Sequence, residues 1–324
     1  METLGSLTAH PEKIMKTCVT GANGFVGSAL CSRLILESHI LIQAVRKSSN
    51  PAELSIGEIN ATTNWKPALA DCHAVIHLAA RVHIMADKST NPLTEFRAVN
   101  TEGTLNLARQ AAQVGVKRFI FVSSIKVNGE GRNEPYRETD LPAPQDPYAV
   151  SKWEAEQGLA AIGLETGLEV VILRPPLVYG PGVRANFLRL MQFLDRGLPL
   201  PLGRVENQRS LLFLGNLVDA IQVCLQHPAA ANKTYLLSDG EDVSSAELVR
   251  VLAKAMGRRP RLLPVPVSLL RLAGTLLGKS AEMSRLLGSL AVDGSRIQQE
   301  LDWRPPYSLN DGIAQTVRVF QRWD

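Results

Sequence analysis

The sequence predicts an α/β chain, a parallel, doubly wound sheet followed by a smaller α/β region. Short apolar strands alternate with helical stretches from residue 15 to about residue 175. The first strand runs directly into a glycine-rich turn that opens a helix. The chain has 324 residues with 45% hydrophobic content, enough for one large domain or two closely joined ones.

Residues 17–20 form the first short apolar strand. Gly21-Ala-Asn23-Gly24-Phe25-Val26-Gly27 follows, and from Ser28 a helix carries apolar Leu30, Leu34 and Ile35. Strand, glycine turn and helix are the context of a dinucleotide fingerprint. The glycines allow a tight turn and close backbone approach, and the helix N-terminus faces a pyrophosphate. The sheet is therefore expected to be Rossmann-type, with Gly21, Asn23, Gly24, Phe25, Val26 and Gly27 as the cradle. The spacing, G-x-x-G-x-x-G, is one residue longer than the common one.

A second strand, residues 40–45, ends in Arg46-Lys47-Ser48. An NAD-preferring site would carry an acid here for the ribose 2′-hydroxyl. Two cations and a hydroxyl suit a 2′-phosphate instead, which favours NADP(H) with NAD(H) second. Gly57-Glu58-Ile59 is expected to end the next strand, near the adenine. Residues 74–80 form a buried strand whose end, Leu78-Ala79-Ala80, lets a cofactor come close; His77 within it reads as structural. Residues 91–100 lead into a helix starting at Thr101. The strand at 118–122 then delivers Ser123 and Ser124 to its carboxyl end, the edge where open α/β sheets bind ligands.

Tyr148 and Lys152, four residues apart, share one face at the start of the next helix. A phenol can exchange a proton with a carbonyl or alcohol oxygen if its pKa falls from about 10. A lysine ammonium one turn away can lower it and can also hold a ribose hydroxyl. The loop between Ser124 and Tyr148 is rich in proline, glycine and charge, and can fold over a substrate. A strand at 168–173 ends in Arg174-Pro175-Pro176. Beyond residue 180 the pattern loosens. Helices are expected at 186–196, 216–225 and 244–256, extended chain at 197–202 and 209–213, and an amphipathic segment at 267–290. The apolar stripe of that last segment is expected to pack in a substrate lid or a dimer rather than on a membrane.

Several function classes fall away. The net charge is +4 with no basic arm, and Arg258-Arg259-Pro260-Arg261 reads as a solvated turn, so nucleic acid is not implied. Cys18, Cys31, Cys72 and Cys224 lack metal-ligand spacing, so no metal site is expected, and reduced thiols suit the cytoplasm. Residues 1–14 read as a flexible extension without the apolar run of a signal peptide. The apolar stretch 262–292 is broken by prolines and charges before the ~20 residues that span a bilayer.

The ordered set of Gly21-Ala-Asn-Gly24-Phe-Val-Gly27, His77-Leu-Ala-Ala80, Asn100, Ser123-Ser124, Tyr148-x-x-x-Lys152 and Arg174-Pro-Pro resembles the extended short-chain dehydrogenase/reductases of the nucleotide-sugar epimerase/dehydratase group. The resemblance covers residues 15–324. It implies a dinucleotide-binding domain at 15–175 and a mainly substrate-binding domain at 176–324, with residues 209–232 packing back towards the first. It further implies Tyr148 as the acid/base and Lys152 as the ribose-binding, pKa-lowering lysine. Ser124 matches the hydroxyl that binds the reacting oxygen, with Ser123 as its alternative. Asn100 and Pro175 fall among the cofactor contacts. Arg81, Asn186 and Arg209 fall on the substrate side, Asn186 and Arg209 towards a diphosphate.

Sugar 4,6-dehydratases carry an acid pair after the catalytic hydroxyl, where this chain has Ile125-Lys126, so dehydration is not expected. Ser-Ser-Ile-Lys-Val-Asn-Gly and Arg81-Val-His-Ile resemble bacterial surface-polysaccharide enzymes of two kinds. One is the reductases of UDP-4-keto-6-deoxy-N-acetylhexosamines, giving UDP-N-acetylquinovosamine-type products; the other is the UDP-hexose 4-epimerases. The Arg46-Lys47 signal puts the reductase first and a UDP-glucose or UDP-N-acetylglucosamine 4-epimerase second. A catalytically silent dinucleotide-binding regulator is the alternative from another class. A homodimer is the family habit.

Overall fold

The computed structural model describes residues 15–82 and 91–322. The extension expected at 1–14, and His83-Ile84 of the Arg81 stretch, lie outside the described residues. The first half alternates strand and helix: β1 (Lys16–Thr20), α1 (Phe25–Leu36), β2 (Ile40–Val45), β3 (Glu53–Ser55), α2 (Lys66–Leu69), β4 (Ala74–His77), α3 (Pro92–Phe96), α4 (Thr104–Gln113), β5 (Arg118–Val122), α5 (Pro147–Thr166) and β6 (Glu169–Arg174). The second half is β7 (Leu177–Tyr179), α6 (Ala185–Asp195), β8 (Arg209–Phe213), α7 (Leu214–Gln226), β9 (Lys233–Leu236), β10 (Asp242–Val243), α8 (Ser245–Ala255), α9 (Val267–Leu276), α10 (Ser280–Leu287), α11 (Ser295–Leu301) and α12 (Leu309–Phe320).

Seven strands form one sheet in the order β3-β2-β1-β4-β5-β6-β9, every neighbouring pair parallel. The order reverses between β1 and β4, so their carboxyl ends frame the crevice where such sheets take ligands. One face of the sheet is covered by α1 and α7 through Leu30, Leu34, Leu217 and Ile221. The other is covered by α4 and α5 through Leu107, Ala111, Ala155 and Leu159. Strand β9 closes the sheet and α7 packs on α1, so this part of the second half belongs with the first. The three-stranded sheet β10-β8-β7 sits with α6, α8 and α12 around a third apolar cluster. Asp239 ties the two regions together, accepting from the Phe213 N–H (2.7 Å), Asn216 Nδ2 (2.7 Å) and the Tyr179 hydroxyl (2.8 Å).

Two boundaries differ from expectation. The helix expected from Thr101 begins at Pro92, because Asn91 caps it through the Thr94 N–H and Pro92 fits its first turn. Between α3 and α4, residues Arg97–Gly103 are wound as a π-helix, which no hydrophobic period announces. The strand expected to end at Gly57-Glu58-Ile59 ends at Ser55, and Gly57 takes a φ of +72° after it. The segment 267–290 is two helices, α9 and α10, folded as a hairpin.

Candidate active site

The glycine turn leaves β1 with Gly21 at a φ of +68°. A Cβ there would lie 2.9 Å from the Ala79 nitrogen, so the backbone after β4 comes as close as only glycine permits. At Gly27 a Cβ would stand 2.1 Å from the Gly21 carbonyl oxygen. The turn is held by Gly21 N–H to Ala44 O (3.0 Å) and Gly24 N–H to Gly21 O (2.9 Å). It ends at the start of α1, which has no side-chain cap, and Asn23 and Gly24 are exposed above it. This bare, uncapped cradle at the switch point fits a dinucleotide pyrophosphate. Phe25, Val26, Leu78, Ala79 and Ala80 are half-buried around it.

Helix α5 brings the chemistry to the same sheet edge. Asp146 caps it, accepting from the Ala149 N–H at 2.7 Å, with Pro147 in the first turn and left-handed Gly167 at its end. Tyr148, Lys152 and Glu156 then follow at four-residue intervals along one face. The Tyr148 ring stands edge-on to Phe96, 6.1 Å between centroids. Burial pushes its phenol up to about 12; the Asp146 carboxylate adds to this and a hydrogen bond from Ser124 opposes it. Lys152 is buried, donates to the Val122 carbonyl at 2.9 Å and sits 4.3 Å from the Phe121 ring centre. Burial drives its ammonium down to about 7, against the pull of Glu156. Lys152 is not among the groups that shift the Tyr148 phenol, and burial is the largest influence on both side chains.

Beneath them lies a buried network that local sequence reasoning missed. Arg174, at the end of β6, grips Glu156 in a bidentate pair (2.5–3.1 Å) and donates to Asn128 at 2.9 Å. Ser123 is 4% exposed and donates to Glu156 at 2.5 Å. It faces this network rather than the cleft, so it is no alternative to Ser124. Ser124 is half-buried at the rim, where the Lys126 N–H donates to it at 3.3 Å and the Pro175 carbonyl anchors the next residue at 3.0 Å. A carboxylate four residues beyond Lys152 is the one sequence signal that could have found Glu156.

Two further residues have partners within the protein. Asn100, expected among the cofactor contacts, also holds the protein together through its amide. It accepts from the Arg81 N–H (2.8 Å) and donates to Arg81 O and Ser151 Oγ (3.0 Å each). It positions the chain after β4 against α5. Arg81, expected on the substrate side, pairs with Glu95 at 3.7 Å and lies 5.6 Å over Phe96. It supports the ring that backs Tyr148. His77 is structural: it bonds Thr20 (2.6 Å) and Thr104 (2.9 Å), and burial, with Lys152 nearby, drives it down to about 3.

At the adenosine end, Arg46, Lys47 and Glu58 are exposed, and Ser48 and Ile59 are half-buried. The Arg46 guanidinium lies 3.7 Å from the Glu58 carboxylate, and the Ser48 hydroxyl donates to Asn50 O at 2.8 Å. An acid beside the cation weakens the argument for a 2′-phosphate. On the other side of the cleft, Asn186 is exposed in the first turn of α6. Arg209 donates to the carbonyls of Arg285 (2.5 Å) and Gly288 (3.2 Å). Those two residues line a groove of ≈ 550 Å³ together with Glu130, Arg132, Asp146 and Arg271. Two of its acids, Glu130 (2.9 Å) and Asp146 (2.5 Å), accept from the Lys126 ammonium. Among the described residues no cluster of His, Cys, Asp or Glu could hold a metal, and no helix is long and apolar enough to cross a membrane.

Residues 17–238 match the model of the NAD dependent epimerase/dehydratase family. The chain belongs to that family. It is an NAD(P)-dependent sugar-nucleotide oxidoreductase/epimerase of the short-chain dehydrogenase type. The chain is 48% identical over 309 residues to the UDP-glucose 4-epimerase of Vibrio cholerae, covering 93% of this chain and 94% of that protein. It is 27% identical to the N-acetyl-alpha-D-glucosaminyl-diphospho-ditrans,octacis-undecaprenol 4-epimerase of Escherichia coli O157:H7, covering 92% and 93%. Among solved structures, MoeE5 in complex with UDP-glucuronic acid and NAD superposes with a TM-score of 0.78 at 26% identity, covering 95% of this chain and all of that one.

The free-protein state of Lys152 makes a prediction about stability. Its folded pKa, about 7, lies below the ordinary 10.5. The unfolded chain thus holds a proton the folded one lacks between those values. The cost to folding is complete below about pH 7 and fades as pH rises towards 10.5. Lys152→Met should raise the melting temperature of the cofactor-free protein relative to the parent near pH 7, with the gain shrinking near pH 10. Calorimetry at both pH values checks it, and a gain independent of pH would mean that Lys152 stays charged throughout.

Proposed function

We propose that the chain is a UDP-hexose 4-epimerase working with NAD. The observation that carries the reading is its 48% identity, over nearly the whole length of both chains, to a UDP-glucose 4-epimerase. The reductase of a 4-keto-6-deoxy sugar, placed first on the Arg46-Lys47 signal, becomes the second reading. NADP(H) loses its preference because Glu58 stands beside Arg46 and the 26%-identical structural neighbour was solved with NAD.

In this reading Tyr148 takes the proton of the C4 hydroxyl as the C4 hydride leaves, and returns it when the hydride re-enters on the opposite face of the sugar. Ser124 donates to the same oxygen and keeps it in line with the phenol. Lys152 holds the nicotinamide ribose and, when charged, favours the phenolate. A bound dinucleotide would supply reversible hydride acceptance, with no net consumption. Gly21, Gly24 and Gly27 cradle its pyrophosphate. Arg209 and Asn186 take the diphosphate of the sugar nucleotide. The division into a dinucleotide domain at 15–175 and a substrate domain from 176 belongs to the same proposal. So does a homodimer, as the family resemblance implies, and a cytoplasmic location, where four buried, unpaired cysteines remain reduced.

The test is incubation with UDP-glucose, or with UDP-N-acetylglucosamine, in the presence of catalytic NAD. The expected result is the 4-epimer with no net change at the nicotinamide absorbance band. Stoichiometric oxidation of NADPH by a UDP-4-keto-6-deoxy sugar, without epimerisation of either substrate, would establish the reductase instead.

A further inference from the structure

One residue joins the turn that carries Ser124 to the helix that carries Tyr148. Ser124 opens a short helical turn, Ile125–Val127, in which the Lys126 N–H donates to the Ser124 Oγ at 3.3 Å. The Lys126 ammonium leaves that turn and donates to Asp146 Oδ2 at 2.5 Å and to Glu130 Oε1 at 2.9 Å. Asp146 starts α5. Its Oδ1 accepts from the Ala149 N–H at 2.7 Å, and its carbonyl accepts from the Val150 N–H at 2.9 Å. Tyr148 lies two residues on, in the first turn of that helix. Lys126 therefore ties the backbone that aims the Ser124 hydroxyl to the cap that aims the Tyr148 phenol.

The tie also carries charge. The Lys126 and Asp146 side chains are 27% and 19% exposed, so solvent screens their attraction less than that of a surface pair. Burial pushes the Asp146 carboxyl up, but the hydrogen bonds from Lys126 and the Ala149 N–H, with the charges of Lys126 and Arg285, hold it below the usual carboxylate value. Asp146 is thus an anion at neutral pH. It opposes ionisation of Tyr148, whose phenol burial already pushes up to about 12. The ammonium seated on Asp146 offsets that field at the ring. The other charged groups here have partners of their own. Glu130 faces Arg285 of α10 at 3.7 Å and also attracts Arg209. Arg81, over Phe96, pairs with Glu95 at 3.7 Å. Lys152, one turn along α5, is bonded to the Val122 carbonyl and drawn to Glu156.

We propose that Lys126 is a positioning residue of this site: it fixes the Ser124 turn against the start of α5 and neutralises the Asp146 carboxylate beside the Tyr148 phenol. It acts through Asp146 and Ser124 and not on the reacting atoms. Its effect on rate rests on Tyr148 being the proton carrier of the proposed function; its effect on the phenol does not.

Two readouts follow the ionisation of Tyr148 in the NAD-loaded protein. One is turnover, which rises with pH as the phenol becomes the base that takes the C4 hydroxyl proton. The other is phenolate absorbance with the Tyr148→Phe protein as blank, which reports the phenol whatever reaction the enzyme performs. Lys126→Met should move the Tyr148 step upward by about one pH unit, roughly a tenfold change in its ionisation constant. Lys126→Arg keeps the cation and should leave the step near its parental position. Asp146→Asn keeps an oxygen for the Ala149 N–H and should move the step downward. Adding Asp146→Asn to Lys126→Met should bring it back towards the parent. A lysine that only holds the loop would lower stability and leave the step in place, and that result overturns the proposal. So does an upward step that Asp146→Asn fails to reverse. If Lys126→Met does not fold, the step in Asp146→Asn decides, and one that does not move downward overturns the proposal. If the parent epimerises no UDP-hexose while the absorbance steps move as stated, the epimerase reading fails and the positioning role stands.

Discussion

Replacing Tyr148 by Phe should cut turnover by about 10²–10⁴-fold, the range general acid–base catalysis contributes, while the protein folds and binds cofactor as before. The change removes one oxygen. The ring that stands edge-on to Phe96 remains, and that contact, with Arg81 behind it, holds the ring in place. The lost oxygen is the one Ser124 reaches, so Ser124→Ala should lower turnover in the same direction by a smaller factor. Steady-state kinetics of both variants, with nucleotide-sugar binding measured separately, checks this. A Tyr148→Phe protein that turns over at near the parental rate would remove the phenol as the proton carrier and reopen the silent-regulator alternative.

The largest expected loss of stability comes from beneath the site. Arg174 and Glu156 are 5% and 2% exposed at their side chains and bonded in bidentate fashion. Arg174→Met leaves the Glu156 carboxylate buried without the guanidinium, with the Ser123 hydroxyl still donating to it. Removing one partner of such a pair typically costs about 3–5 kcal/mol, readable as a fall in the denaturant midpoint. Adding Glu156→Leu should recover much of that loss, since it removes the stranded charge. The double variant should nevertheless be a poorer enzyme, because Glu156 is what favours the charged form of Lys152. No recovery in the double variant would mean that Arg174 acts through packing on Trp153, 5.8 Å away, rather than through its charge.

The parts of this protein written in its sequence are those made by near neighbours. The glycine turn is legible because strand, turn and helix are contiguous and each glycine answers a local steric demand. Tyr148 and Lys152 are legible because a helix places residues four apart on one face whatever surrounds it. Sequence alone also determined that His77, inside an apolar strand, is structural. Tertiary structure decided what depends on partners distant in the chain. Sequence puts Ser124 first with Ser123 as its neighbouring alternative; only the fold shows Ser123 buried and donating to Glu156, 33 residues away. Asn100 reads as a cofactor contact, and only the fold brings Ser151, 51 residues on, to its amide. Arg46 reads as a phosphate site until the fold brings Glu58 beside it. The pKa values of Tyr148 and Lys152 follow from how deeply both are buried, and desolvation is set by the packing of the whole sheet edge rather than by the four-residue spacing.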